Sequence, residues 1–477
     1  MRVSEFFNLN RTQPYLDFVD IPLNTDIPVF LDPNAIKSLE SAWGNELSSL
    51  LQTFFEVVLR LIKNNQHDKA KKLLSSLNER NEFHLGYSAG ESKGHAFGSE
   101  SAKSVWSALT KSKAAATGLL QDLEDTALLI HGIGTDMISD AVCNILRGPL
   151  IKYTQDMCMY YGIPLTPNVA SGPIWNPQKE LWEETFVSLP MTNFGKVILV
   201  PKIIVRHRLT FQCNEYYRYF LLPEMQDEHL RANSSLVETL KSGERRVTKK
   251  ALQEKYGKDK LAVVEQTLIR PNILNEYREA KAESPSNPLT HEQFSEIEQT
   301  EKPQLELLLV QLKALRPGRD TAEDYESIIE KILSVLFYPS LCNPTKQHKI
   351  HNGRKRVDIT YVNEAKSGFF YWLSMHYPCP QIFVECKNYG KDVANPEVDQ
   401  LSGRFSPSRG KVGILICREI QDKELLYNRC QDTAKDQRGF IIPLDDRDVE
   451  TMVNNYIENE GNQSFDLLRG LWSTLIN

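Results

Sequence analysis

Glu385 and Lys387 stand two residues apart at the end of an apolar run, Gln381-Ile382-Phe383-Val384-Glu385-Cys386-Lys387, which is followed by a turn, Asn388-Tyr389-Gly390. Side chains alternate across a strand. A strand here therefore places Phe383, Glu385 and Lys387 on one face and Ile382, Val384 and Cys386 on the other. Ionised groups are rarely buried without a partner or a metal, and building a core calls for neither residue. Three other Glu-x-Lys pairs occur: Glu91/Lys93, Glu279/Lys281 and Glu364/Lys366. The first lies in a Gly/Ser-rich stretch and the third precedes Ser367-Gly368. The second lies in a charged helical stretch, where residues two apart do not share a face. Only Glu385/Lys387 follows an apolar β-run.

A second strand is predicted upstream at Arg356-Val357-Asp358-Ile359-Thr360-Tyr361, with Asp358 on the face of Arg356 and Thr360. A carboxylate from one strand and a carboxylate plus an ammonium from its neighbour make a site for a hard cation. Mg²⁺ takes oxygen ligands, keeps several waters and commonly uses one or two protein carboxylates with phosphate oxygens. Mn²⁺ suits the same oxygen donors. The ammonium of Lys387 could orient or help deprotonate the attacking water and offset charge on a scissile phosphate.

Asp358 followed by Glu385-Cys386-Lys387 resembles the PD-(D/E)XK nuclease superfamily, with its restriction-endonuclease-like fold, and within it the branch of the Mrr-type restriction nucleases. Upstream, Asp324-Tyr325-Glu326-Ser327-Ile328-Ile329 is similar to the first helix of that family, whose aromatic-Glu pair places an extra acid at Glu326. Downstream, Val398-Asp399-Gln400-Leu401 is similar to the helix carrying an active-site Gln, here Gln400. Residues 411–417 and 438–446 resemble the strands that follow. The resemblance spans roughly residues 320–448. It implies an α/β domain with an αβββαβ core, Asp358 and Glu385 on Mg²⁺ or Mn²⁺, Lys387 at the attacking water, and Gln400 and Glu326 in support. Val357 stands where the family motif has Pro. The long gap from Asp358 to Glu385 contains Gly368-Phe369-Phe370-Tyr371-Trp372-Leu373, read here as a possible extra strand.

The implied activity is phosphodiester hydrolysis by an endonuclease, with DNA favoured over RNA, in prokaryotic restriction or antiphage defence. Two alternatives stand beside it. One is a catalytically degenerate nucleic-acid-binding or scaffold protein; the other is a DNA repair or junction-resolving nuclease. Cutting both strands needs two sites, which makes a homodimer plausible. No helicase, methyltransferase or Walker motif is visible, so any regulatory or ATPase partner would be a separate chain.

The chain has 477 residues, 41% hydrophobic and 25% charged, with net charge −6, a composition ordinary for a soluble globular protein. Its charge is uneven: 12 Lys/Arg face 7 Asp/Glu between Ser340 and Ile420. Arg354, Lys355, Arg356, Lys391 and Arg404 are the expected phosphate-backbone contacts of a locally basic cleft. No apolar run reaches the length of a membrane span, and residues 1–7 lack the apolar core of a signal peptide. The 8 cysteines are scattered with no Cys-x-x-Cys pair, which fits a reducing cytoplasm and argues against a zinc ribbon.

Three parts are expected. Residues 1–283 form a mostly helical, mixed α+β recognition or regulatory domain. Residues 284–319 form a linker and a bridging helix, marked by Glu283-Ser284-Pro285-Ser286-Asn287-Pro288, and residues 320–477 form the nuclease-like domain. In the first part, Asp17, Asp20 and Asp32 are expected in turns and caps rather than as an acidic cluster. The glycine-rich stretch 86–98 lacks the ending of a phosphate loop. Asp136 is expected to cap a helix, and residues 196–205 read as a strand. Tyr216-Tyr217-Arg218-Tyr219 reads as a half-buried helix face, and the basic run 241–250 as a solvated one.

Overall fold

A computed structural model describes residues 1–86, 106, 108–346 and 359–476. The chain is mixed α/β, about half helical. It packs around two hydrophobic cores, one drawn from residues 3–294 together with Cys342, the other from residues 305–475. The changeover falls between Phe294, in the first core, and Leu305, in the second.

The second core surrounds a five-stranded sheet. Its elements, numbered from the start of this part, are α1 (Ala322–Leu336), β1 (Leu341–Lys346), β2 (Ile359–Asn363), α2 (Gly368–His376) and β3 (Gln381–Lys387). They continue with α3 (Asn395–Ser402), β4 (Val412–Cys417), α4 (Lys423–Lys435), β5 (Phe440–Asp445), α5 (Asp446–Glu458) and α6 (Asp466–Ile476). The sheet order is β1-β2-β3-β4-β5. The first three strands are antiparallel neighbours and the last three are parallel. Parallel neighbours need a crossover, and α3 and α4 supply the two. β4 is buried along its whole length, as expected for a parallel strand covered on both faces. This puts β3 at the centre, where the antiparallel half meets the parallel half.

Residues 368–373 are helical, not an extra strand. The aromatic run has high β-propensity, but packing overrides such preferences. Phe369 and Phe370 are buried on α2, and Phe370 meets Phe465 edge-on at 5.0 Å between ring centroids.

The first core is mostly helical, with Ala42–Lys63, Thr135–Ile145 and Arg147–Tyr161 among its longer helices, and its strands form short two-stranded sheets. The three aspartates are held separately. Asp32 caps the helix Pro33–Lys37 through Asn34 N at 3.1 Å, and Asp20 accepts from Ser4 N at 2.9 Å. Asp17 accepts from Tyr153 Oη at 2.7 Å and from Asn343 N at 3.0 Å, a tie to the second core's domain. Asp136 does not cap. The helix begins at Thr135 after Gly134, so Asp136 sits in its first turn. Residues 197–200 are buried but belong to no strand; Lys196 ends a two-residue strand paired with Met191–Thr192, Pro201 makes an isolated bridge to Phe18, Lys202–Ile204 is a 3₁₀ turn, and Val205–Arg206 pairs with Phe30–Leu31. The glycine-rich stretch, apart from Gly86, lies outside the described residues. No described helix is long and apolar enough to cross a membrane.

Candidate functional site

Glu385 sits on the central strand with 1% of its surface exposed. Its carboxylate is held by two cations. Lys387 Nζ donates to Oε1 at 2.6 Å, and Arg404 Nη1 donates to Oε2. The strand alternation expected from sequence accounts for the first contact, since Glu385 and Lys387 project to one side of β3. The second comes from the chain just past α3. Phe405 packs on Phe383, with ring centroids 5.6 Å apart, and Phe383 shares the Glu385 face. That ring lies so close to two glycines that a Cβ on Gly413 would meet Phe405 Cζ at 3.0 Å, and one on Gly439 would collide with the ring. The close approach of Phe405 to the sheet carries Arg404 onto Glu385.

Arg404 therefore differs from its expected role. It is 1% exposed and neutralises Glu385 instead of facing a phosphate backbone. The cause is non-local: an Arg two residues past a helix end becomes buried only because the residue after it packs into the sheet. Burying an unpaired carboxylate is costly, and a paired, hydrogen-bonded one is tolerated.

The turn after β3 is fastened to the loop before α1. Gly318 N donates to Asn388 O at 2.9 Å, while Asn388 Nδ2 donates to Gly318 O and to Thr321 Oγ1, both at 2.9 Å. These two loops border an open cleft of about 620 Å³, lined among others by Arg319, Glu326, Cys386, Lys387 and Lys391. Lys391 and Arg319 are exposed there. Glu326 comes from α1. Burial pushes its carboxyl up, Lys346 opposes this, and the charges of Glu330 and Glu385 push it further up. Glu326 and Glu385 are thus electrostatic neighbours.

Gln400 is exposed on α3, whose buried face is Val398, Leu401 and Ser402. Helix periodicity turns it away from that face. Asp358, Arg354, Lys355 and Arg356 lie outside the described residues. β2 begins at Ile359, which pairs with Val384, the residue before Glu385. Among the described residues no group of three or more His, Cys, Asp or Glu is arranged to hold a metal ion.

Sequence reasoning missed Asn388 and the cationic partner of Glu385. Asn388 follows the motif directly, and its sequence context signals only a turn. No local signal marks Arg404, because its burial depends on Phe405 and two distant glycines.

Fold and site together define a mixed α/β protein with a buried carboxylate paired to a half-buried ammonium at the end of the central strand of its C-terminal sheet. Residues 8–212, in the helical first part, match the profile of a domain of unknown function (DUF8370). No curated protein and no solved structure matches the chain.

Proposed function

We propose that the protein is a Mg²⁺- or Mn²⁺-dependent endonuclease that hydrolyses phosphodiester bonds, in DNA rather than RNA, as an effector of prokaryotic restriction or antiphage defence. The observation that carries the reading is the pair Glu385–Lys387, with Nζ 2.6 Å from Oε1 at the end of the central strand and Lys387 lining an open cleft. The preference for DNA and the defence role rest on the resemblance alone.

The donor set fits a hard cation. An ionised carboxylate has about four lone-pair sites, so one donor on each oxygen of Glu385 leaves room on both. Glu326 adds a second carboxylate at the cleft, pushed up mainly by burial and, to a lesser degree, by the charges of Glu330 and Glu385. Glu385 and Asp358, which precedes Ile359 in sequence, would hold the ion. When bound, it supplies Lewis-acid charge at the phosphate. Lys387 orients the attacking water and offsets charge developing on the phosphate oxygens. Arg404 pairs with Glu385 and fixes its carboxylate, and Arg319 and Lys391 draw the backbone into the cleft.

One observation favours a second reading. Arg404 already neutralises Glu385 from the protein side, as a catalytically degenerate, nucleic-acid-binding scaffold would require. Plasmid cleavage with millimolar Mg²⁺ or Mn²⁺ tests the first reading. Cutting by the parent that both Glu385→Ala and Lys387→Ala abolish supports the nuclease. Absence of cutting on DNA and RNA, together with no calorimetric heat on adding Mn²⁺, overturns it in favour of the scaffold.

A further inference from the structure

The basic run that sequence alone assigns to a solvated face folds into a defined surface. Residues 241–258 contain 7 Lys/Arg and 2 Asp/Glu in a chain of net charge −6. They form the second strand of a hairpin, Arg245–Arg246 paired with Glu238–Thr239, and the helix Lys249–Tyr256 capped by Thr248. Both pack along one side of the helical segment 213–231. Gln226 Nε2 donates to Val247 O, Tyr217 Oη donates to Gly257 O at 2.5 Å, and His229 Nε2 lies 3.0 Å from Tyr256 Oη. Lys241, Arg245, Arg246, Lys250, Lys255 and Lys258 are left exposed.

An aromatic side chain sits at the edge of this surface. Tyr216 and Tyr217 are buried, but Tyr219 is 64% exposed. Lys249 Nζ lies 5.3 Å from its ring centroid and donates to Arg218 O at 2.5 Å, which holds a cation against the ring. The nearby acids are weak competitors. Arg246–Glu238 and Lys250–Glu254 are exposed pairs at 3.5 and 3.8 Å, and such pairs contribute little. A phosphate would displace them.

We propose that this hairpin–helix surface is a second nucleic-acid contact, remote in sequence from the cleft, where cations hold the phosphate backbone and Tyr219 stacks on an unpaired base. The inference rests on the reading of the protein as one that acts on nucleic acid. Charge complementarity selects the occupant: a polyanion backbone matches a dense, exposed cationic face, and an exposed aromatic ring with a cation against it stacks on bases. An anionic membrane is the lesser fit. Interfacial helices carry large apolar side chains on one face, and no exposed large hydrophobic side chain falls on this hairpin or its helix.

The test measures fluorescence anisotropy of a labelled DNA duplex and of its single strand with the full chain in EDTA. It compares the parent with the triple variant Lys241→Glu/Arg246→Glu/Lys250→Glu and with Tyr219→Ala. The triple variant is expected to lose about tenfold or more in affinity, and its log K against log salt slope should flatten by about 0.9 for each lost phosphate contact. Tyr219→Ala should weaken single-strand binding with its salt slope unchanged, and Tyr219→Phe should restore it. These side chains are exposed, so unchanged melting curves establish that the variants fold. A parent that cuts plasmid while the triple variant binds with the same affinity and slope overturns this inference alone. A parent that neither binds nor cuts nucleic acid overturns it together with the nuclease reading. Loss of binding confined to phosphatidylserine vesicles assigns the surface to a membrane and also overturns it.

Discussion

Arg404 and Glu385 form an ion pair in which each side chain is 1% exposed. The pair is the hinge of the site's electrostatics, because Lys387 shares the same carboxylate from the other oxygen. Removing one partner of a buried pair leaves the other charge uncompensated and costs about 3–5 kcal/mol. Lys387 still pairs with Glu385 in Arg404→Met, so that variant should lose up to about that amount in denaturant unfolding. Adding Glu385→Gln removes the under-compensated charge, so the double variant should be more stable than Arg404→Met alone. A double variant as unstable as the sum of the two single variants would show that the charges do not interact.

Gly439 tests how Arg404 reaches its place. The residue has φ +130°, and a Cβ there would collide with Phe405 and lie 2.7 Å from Lys411 O. Gly439→Ala should cost about 2–5 kcal/mol from overpacking and backbone strain together. It should also push Phe405 off the sheet and loosen Arg404 from Glu385. Under the proposed function, plasmid cutting by the variant falls at temperatures where circular dichroism shows it folded. Parental stability would mean that the loop yields at no cost and does not position Arg404.

Much of this site was legible in the sequence, for physical reasons. β3 announces itself by an apolar run that ends in two opposite charges, and β4 and β5 by runs that parallel pairing buries on both faces. α1 shows a clear helical period. Other parts were not legible. β1 contains Asn343 at φ +49° and Pro344, with a register shift between Cys342 and Thr345. An interrupted edge strand of that kind carries no clean alternation. α2 reads as strand by composition, and only its packing against α6 and Phe465 makes it a helix. Arg404 looked like a surface cation because nothing within its own segment reveals the glycines that admit Phe405.

Arg11 tests the joint between the two cores. Glu330, fully buried on α1 one turn beyond Glu326, accepts from Arg11 Nη1 at 3.0 Å, from Arg11 Nη2, and from Tyr160 Oη at 2.9 Å. The first part of the chain thus supplies the countercharge for the helix that brings Glu326 to the cleft. Arg11→Met should destabilise by about 3–5 kcal/mol, and amide exchange in α1 should speed up more than exchange in β4. Tyr160→Phe removes one hydrogen bond to a charged group, for about 1.5–3 kcal/mol. Equal protection of α1 in Arg11→Met and parent would mean that the joint does not hold the helix.

Glu298 gives the joint a pH dependence. It is 8% exposed, and neither carboxylate oxygen receives a hydrogen bond. Burial pushes its carboxyl up to about 8. Arg2, 3.5 Å away, and Lys202 oppose the shift, and Asp20 reinforces it. A carboxyl whose pKa is raised on folding stabilises the folded state while protonated. Its contribution is full below the ordinary value of 4.5 and is lost as pH rises through about 8. Lys202 is shifted the other way, pulled down to about 8 by burial against the opposing charges of Asp17 and Glu298. Its contribution is present above the ordinary lysine value and is lost as pH falls through about 8, so it adds little slope in the acid range. The parent should therefore lose melting temperature relative to Glu298→Gln between about pH 5 and about pH 8. Parallel melting curves for the two proteins across that window would show that Glu298 is ionised in the folded state throughout, with Arg2 and Lys202 outweighing its burial.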